Sequence, residues 1–187
     1  MVELASIRSG IGESMEDRYL FKAKRLDNGE WVTGNLIQNP FFKGVRSWIS
    51  SEQEDKTRLR SISRTQALWN SIEVDSSTIC QCTGLKDKNG KLIWENDIVN
   101  FLGHKGKVRY ECGSFGIAYR DYIDWEEIEA NICLITGCDN ALCACENDNF
   151  ISLWEIYWNF NDEDDSVNTV EVIGSAIDNP ELLEVGE

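Results

Sequence analysis

Two Asn-Gly pairs set between β-prone runs constrain this chain more than any other feature. Asn28-Gly29 lies between Tyr19-Leu20-Phe21-Lys22-Ala23-Lys24 and Trp31-Val32-Thr33-Gly34. Asn89-Gly90 lies between Gln81-Cys82-Thr83-Gly84-Leu85 and Leu92-Ile93-Trp94. A two-residue hairpin turn needs positive φ at both central residues, which Asn and Gly tolerate best, so each pair predicts a hairpin. The first run also alternates, with Tyr19, Phe21 and Ala23 on one side and Lys22 and Lys24 on the other. Further short runs at 98–102, 107–111 and 114–119 are separated by Gly103-His104-Lys105-Gly106 and Cys112-Gly113, a spacing that suits a barrel or sandwich.

The expected fold is therefore mainly β (β-rich α+β), with a short-strand, barrel-like (SH3-like) core, hairpins and a short C-terminal helix. Residues 169–174 read as the last strand. In Asn179-Pro180-Glu181-Leu182-Leu183-Glu184, Asn stands at an N-cap, Pro at the first helical position and an acid beside the positive helix end. Residues 38–66 read as a long loop with short strands near 45–49 and 57–62, and residues 122–128 as a helical turn. The aromatic run 150–160, with Trp154, Tyr157 and Trp158, suits either a helix face or a buried strand. The four-acid run 162–165 reads as a solvated loop. The expected organisation is a leader over 1–14 ahead of a natural start at Met15, an N-terminal β subdomain over 15–75, and a barrel-like subdomain over 76–187 with an insertion at about 120–168.

At 187 residues the chain is long enough for one domain or two small ones. Folding at this size hides roughly 70% of the unfolded surface, so a core can stabilise it without metals or disulfides. Seven Trp, seven Phe and five Tyr supply that core. The net charge is −15, from 33 acidic and 18 basic residues, a field that repels phosphate and anionic lipid. A solvated acidic surface is the plain reading of this charge; an acidic mimic of nucleic acid is the sharper one. No apolar run approaches the ~18 residues of a membrane span, and the N-terminus lacks signal-peptide features. A cytoplasmic protein with no membrane partner is expected. Seven cysteines cannot all pair within one chain, which disfavours a disulfide scaffold.

Several ordered segments carry a family resemblance. Residues 82–91, Cys-Thr-Gly-Leu-Lys-Asp-Lys-Asn-Gly-Lys, followed by Trp94-Glu95-Asn96-Asp97-Ile98-Val99, resemble the hallmark T-G-L-x-D-x-x-G-x-x-I-x-E-G-D-I-V of the YopX family of phage and prophage proteins. The opening Tyr19 to Gly34 is similar to that family's first hairpin. The segment 107–117 is similar to the strands after the hallmark, and Val172-Ile173-Gly174 with Asn179-Pro180-Glu181-Leu182-Leu183 to its closing motif. Asn96 stands where Gly is usual, a physically sound exchange at positive φ, while Ser175 replaces Asn and Cys82 replaces Tyr. The likeness covers 18–119 and 169–184 and leaves 120–168 unexplained. It implies a phage or prophage origin, action in host cytoplasm, a β-rich barrel-like fold and self-association, and it implies no catalytic residue. Read physically, the hallmark is architecture. Gly84, Gly90 and Asn96 mark tight turns, Leu85, Ile93, Ile98 and Val99 face the core, and Asp87 and Asp97 bond turn N–H groups.

Other constellations are weaker. Cys133, Cys138, Cys143 and Cys145 are zinc candidates, but Cys143-Ala144-Cys145 is tighter than one zinc prefers, and Cys80 and Cys82 suit a packed core, so thiols without metal are the preferred reading. His104, the one histidine, sits in a predicted turn with no Ser or Cys partner at a recognisable spacing. The basic run Lys56, Arg58, Arg60 and Arg64, near Trp48 and Trp69, offers a phosphate-contacting edge that the global charge opposes. The overall expectation is a non-enzymatic accessory protein without cofactor, a homo-oligomer with an unidentified host or phage protein partner. The rivals are a nucleic-acid-binding module over 56–64, an acidic nucleic-acid mimic and a zinc-stabilised protein.

Overall fold

The structure, a computed structural model, describes residues 19–39, 46–50, 71–111, 113–120, 124, 126, 130, 149–160, 166–167 and 169–184. The chain divides after Cys82 into two compact units. The mainly β class expected from the sequence is what the chain adopts.

In the N-terminal unit, β1 (Phe21–Lys24), β2 (Trp31–Asn39), β3 (Arg46–Ser50) and β4 (Ser71–Val74) form an antiparallel sheet with the start of β5 (Cys80–Asp87), in the order β5-β1-β2-β3-β4. Strand β2 changes partner midway. Trp31–Gly34 pair with β1, and Asn35–Asn39 with β3. Gly34 stands at the change, and a Cβ there would lie 2.0 Å from the Ser50 carbonyl oxygen. The inner face buries Ala23, Ile49 and Val74 against Phe21, Val32, Leu36, Ile72 and Ile79. The sheet curls until β4 returns to the end of β1. Arg25 bridges Val74, the Leu26 N–H donates to the Glu73 carbonyl (3.2 Å), and the Asp75 N–H donates to the Lys24 carbonyl (2.8 Å). One bridge does not close a barrel. Asp75 caps the 3-10 turn Ser76–Thr78, accepting from the Ser77 hydroxyl and N–H, and these bonds hold its carboxyl below the ordinary value.

In the C-terminal unit the rest of β5 lies beside β6 (Leu92–Trp94). A five-stranded antiparallel sheet follows, from β7 (Asp97–Phe101), β8 (His104–Glu111), β9 (Ser114–Ala118), β10 (Phe150–Ser152) and β12 (Val170–Ser175), in the order β10-β9-β8-β7-β12. The two-residue β11 (Ser166–Val167) pairs parallel to β5 at Lys86 and Asp87. Helix α1 (Leu153–Phe160) brings Leu153 and Ile156 into a core with Val99, Phe101, Val108, Ile117, Ile151, Val170, Leu85 and Ile93. Each fully buried Ile or Leu adds about 1.5–3 kcal/mol. The barrel expected here takes the form of an open sheet. Among the described residues its path ends at β10 and β12, and α1 packs on β9.

Local geometry departs from the sequence reading at several points. At the Asn-Gly pairs only the glycines have positive φ, 73° at Gly29 and 78° at Gly90, so these loops are longer than two residues. The two-residue turn lies instead at Leu102 (φ 50°) and Gly103 (φ 91°), between the paired Phe101 and His104. Packing of Leu102 against the core offsets the cost of a left-handed leucine. His104 is thus the half-buried first residue of β8, not an exposed turn residue. Gly84 has φ 79° inside β5, not in a turn. The run 150–160 is both of its readings in succession, a buried strand and then a helix. The C-terminal helix is the 3-10 turn Pro180–Leu183, and Asn179 makes no forward cap; its Oδ1 accepts backward from the Ser175 N–H at 3.4 Å. The expected leader over 1–14, the strand over 57–62, the acidic run 162–165 and most of 120–168, including most of the turn at 122–128, lie outside the described residues. No described helix is long and apolar enough to cross a membrane.

Gly34→Ala is expected to cost at least about 1–3 kcal/mol, because the clash is with backbone that cannot rotate away. Urea denaturation followed by far-UV circular dichroism measures it; an unchanged midpoint would contradict the tight β2–β3 approach.

Candidate functional site

Among the described residues, three of the six buried polar side chains, Thr83, Asp87 and Asp97, belong to the hallmark segment. Asp87 is fully buried at the end of β5. Its Oδ1 accepts from the Asn89 and Lys91 N–H groups at 2.9 Å each, and its Oδ2 accepts from the Val172 N–H of β12 at 3.0 Å. The same loop is closed by the Asp87 N–H on the Lys91 carbonyl (2.8 Å) and the Gly90 N–H on the Asp87 carbonyl (2.9 Å). Lys88 then donates its N–H to the Val170 carbonyl at 2.9 Å. Hydrogen bonds to a charged acceptor are worth about 1.5–3 kcal/mol each, so this carboxylate fastens the hairpin to a strand 85 residues away.

The second hallmark turn repeats the device. Asp97, 2% exposed, accepts the Trp94 N–H at 2.9 Å on Oδ2. Asn96 has φ 64°, the conformation its replacement of Gly suggests, and its carbonyl accepts the Ala176 N–H at 2.8 Å. Thr83 donates its hydroxyl to the Ile93 carbonyl (2.8 Å) and accepts the Leu85 N–H (3.1 Å). Leu85, Ile93, Ile98 and Val99 are all buried, as expected of core-facing positions. The closing motif answers from the other side. Gly174 leaves the space that Leu182 fills; a Cβ there would lie 2.6 Å from Leu182 Cδ1. The hallmark and the closing motif are therefore in contact through backbone hydrogen bonds.

The zinc candidates Cys133, Cys138, Cys143 and Cys145 and the basic candidates Lys56, Arg58, Arg60 and Arg64 lie outside the described residues, as does Trp69. Among the described residues no group of His, Cys, Asp and Glu is placed to hold a metal ion. Cys80 and Cys82 are buried, and the Cys80 thiol donates to the Thr78 carbonyl at 3.4 Å. Burial pushes the Tyr119 phenol well above its ordinary value, which keeps it protonated.

Two surface features escaped the sequence reading. In the N-terminal unit the Lys22 and Lys24 ammonium groups lie 5.3 and 5.6 Å from the centroid of the Trp31 ring. In the C-terminal unit Tyr110 and Phe115 meet edge to face across β8 and β9 at 5.1 Å, and Trp154 and Tyr157 do so on α1 at 5.6 Å. The cross-strand register and the three-residue helical spacing are the signals that would have found them. Charge is also divided. Residues 11–82 hold ten basic and ten acidic residues, whereas residues 83–187 hold seven basic and 22 acidic ones.

Asp87→Asn is expected to leave a buried N–H facing an amide donor and to lower stability by about 1–3 kcal/mol. Amide hydrogen exchange should locate the loss of protection at 87–91 and 170–172. Protection left intact there would refute the fastening role.

No curated protein matches the chain in sequence. It does match the family described as YopX protein, over residues 20–184, a span that contains the hallmark, both of its buried aspartates and the closing motif that Asp87 bonds through Val172. The chain belongs to the YopX family.

Proposed function

We propose that this YopX-family protein is a non-enzymatic interaction module that self-associates and serves a phage or prophage in the cytoplasm of its host. The observation that carries the reading is where the hallmark's polar atoms go. Thr83, Asp87 and Asp97 are buried, and the backbone takes up their oxygen atoms. The residues that define the family thus build a frame, and a frame presents surfaces. Light scattering on the purified chain tests self-association. The expected mass is a multiple of 21.3 kDa, and a concentration-independent 21.3 kDa sinks it.

A second reading has specific support in the N-terminal unit. The global −15 opposes nucleic acid, but residues 11–82 balance their charges, include Lys56, Arg58, Arg60 and Arg64, and hold Trp31 beneath two lysines. Basic side chains beside an aromatic ring are the components of single-strand binding. Fluorescence anisotropy with a labelled single-stranded oligonucleotide should then show binding that weakens steeply with salt; binding that is absent or indifferent to salt removes this reading.

A further inference from the structure

We infer that Asn89 is a site of spontaneous deamidation, and that its conversion to isoaspartate releases β12 from the hallmark loop. An Asn-Gly pair carries the reactants for this step, and glycine suits it because no Cβ crowds the attacking nitrogen. The glycine amide nitrogen gives its proton to water and bonds to Cγ of the asparagine. The Cγ–Nδ2 bond breaks, and the side-chain nitrogen takes up a proton and leaves as ammonia. Water then opens the five-membered imide at either carbonyl, giving aspartate or isoaspartate.

The chain has two such pairs, and the structure sets them apart. The glycines are alike. Each has positive φ, and a Cβ on either would meet nothing within 4 Å. Each N–H is held by a carbonyl, that of Arg25 on Gly29 at 3.0 Å and that of Asp87 on Gly90 at 2.9 Å. The asparagine side chains differ. Asn28 is clamped twice, its Nδ2 donating to Glu30 Oε2 at 2.8 Å and its Oδ1 accepting the Glu30 N–H at 3.0 Å. Both bonds must break before Cγ can meet the Gly29 nitrogen. Asn89 is exposed, and its side chain makes no hydrogen bond among the described residues.

Charge acts in the same sense. Asp27 and Glu30 flank the first pair and oppose the negative charge left on a deprotonated amide nitrogen, whereas Lys88 and Lys91 flank the second. The Asp87 carboxylate also lies near Asn89, but three backbone N–H groups share its charge.

The consequence follows from the place of Asn89 in the loop. Asp87 Oδ1 accepts from the N–H groups on either side of Gly90, those of Asn89 and Lys91. Isoaspartate runs the main chain through its own Cβ and Cγ, so the path between these two donors gains a carbon. One oxygen then no longer fits both, and the loop that aims Oδ2 at the Val172 N–H loses its shape.

The test ages the purified full chain in neutral buffer, with and without urea. Peptide mapping by mass spectrometry follows both sites, with fragmentation that distinguishes isoaspartate from aspartate. In the folded chain Asn89 is expected to convert at least about fivefold faster than Asn28, since two side-chain hydrogen bonds hold Asn28 and none holds Asn89. In urea the gap should narrow. Glu30→Ala should speed conversion of Asn28 in the folded chain and leave Asn89 as it was. Amide exchange at Val172 should quicken in the isoaspartate fraction, but not in an equally aged Asn89→Gln chain. Equal rates in the folded chain, the same gap in urea, or an Asn28 rate indifferent to Glu30→Ala overturns the choice of site. Unchanged Val172 protection in the isoaspartate fraction overturns the release of β12.

Discussion

The buried carboxylate of Asp87 is the group on which the C-terminal unit depends. A carboxylate removed from water is costly unless donors surround it, and here the donors are backbone amides from two places, the hairpin loop and β12. The arrangement solves two problems together. It shapes a loop in which Asn89 does not adopt positive φ, and it fixes the last long strand to the segment that begins the unit. Asp97 and Asn96 do the same one turn later, so β12 is gripped at both ends by hallmark residues. Two stretches of sequence far apart in the chain share a family pattern because they are one hydrogen-bonded structure.

Much of this was legible in the sequence. The hairpin positions, the core-facing Leu85, Ile93, Ile98 and Val99, and the left-handed Asn96 follow from turn chemistry and alternation, which act over a few residues. What was illegible depends on tertiary context. No local rule gives Leu102 a left-handed conformation; its packing against the core does. Nor does a local rule place Gly84 within a strand, since the need arises where β5 leaves β1 and meets β6. The two residues of β11 have no periodicity of their own, and a parallel partner supplies their register. One aromatic pair was missed for a related reason: Tyr110 and Phe115 meet only once the β8–β9 register is known.

Net charge proved a blunt guide. A single figure of −15 describes neither unit, because the acids gather after residue 83 while the first unit is balanced. Electrostatic steering acts over roughly a Debye length, ~8 Å at physiological salt, so a ligand meets the local field and not the sum. The two units therefore differ in the charge their sequences carry.

The position of β12 also bears on how the protein acquires its structure during synthesis. The β7–β8 hairpin, joined by Leu102-Gly103, has its partners side by side in the chain and closes within about 1–10 μs. Asp87 must wait for Val172, 85 residues later, which a ribosome adding 5–20 residues per second delivers after roughly 4–17 s. Through that interval the outer edge of β7 is unpaired and one oxygen of Asp87 lacks its native donor. The final strand is thus a latch, and the unit becomes cooperative only when nearly all of its chain has been made.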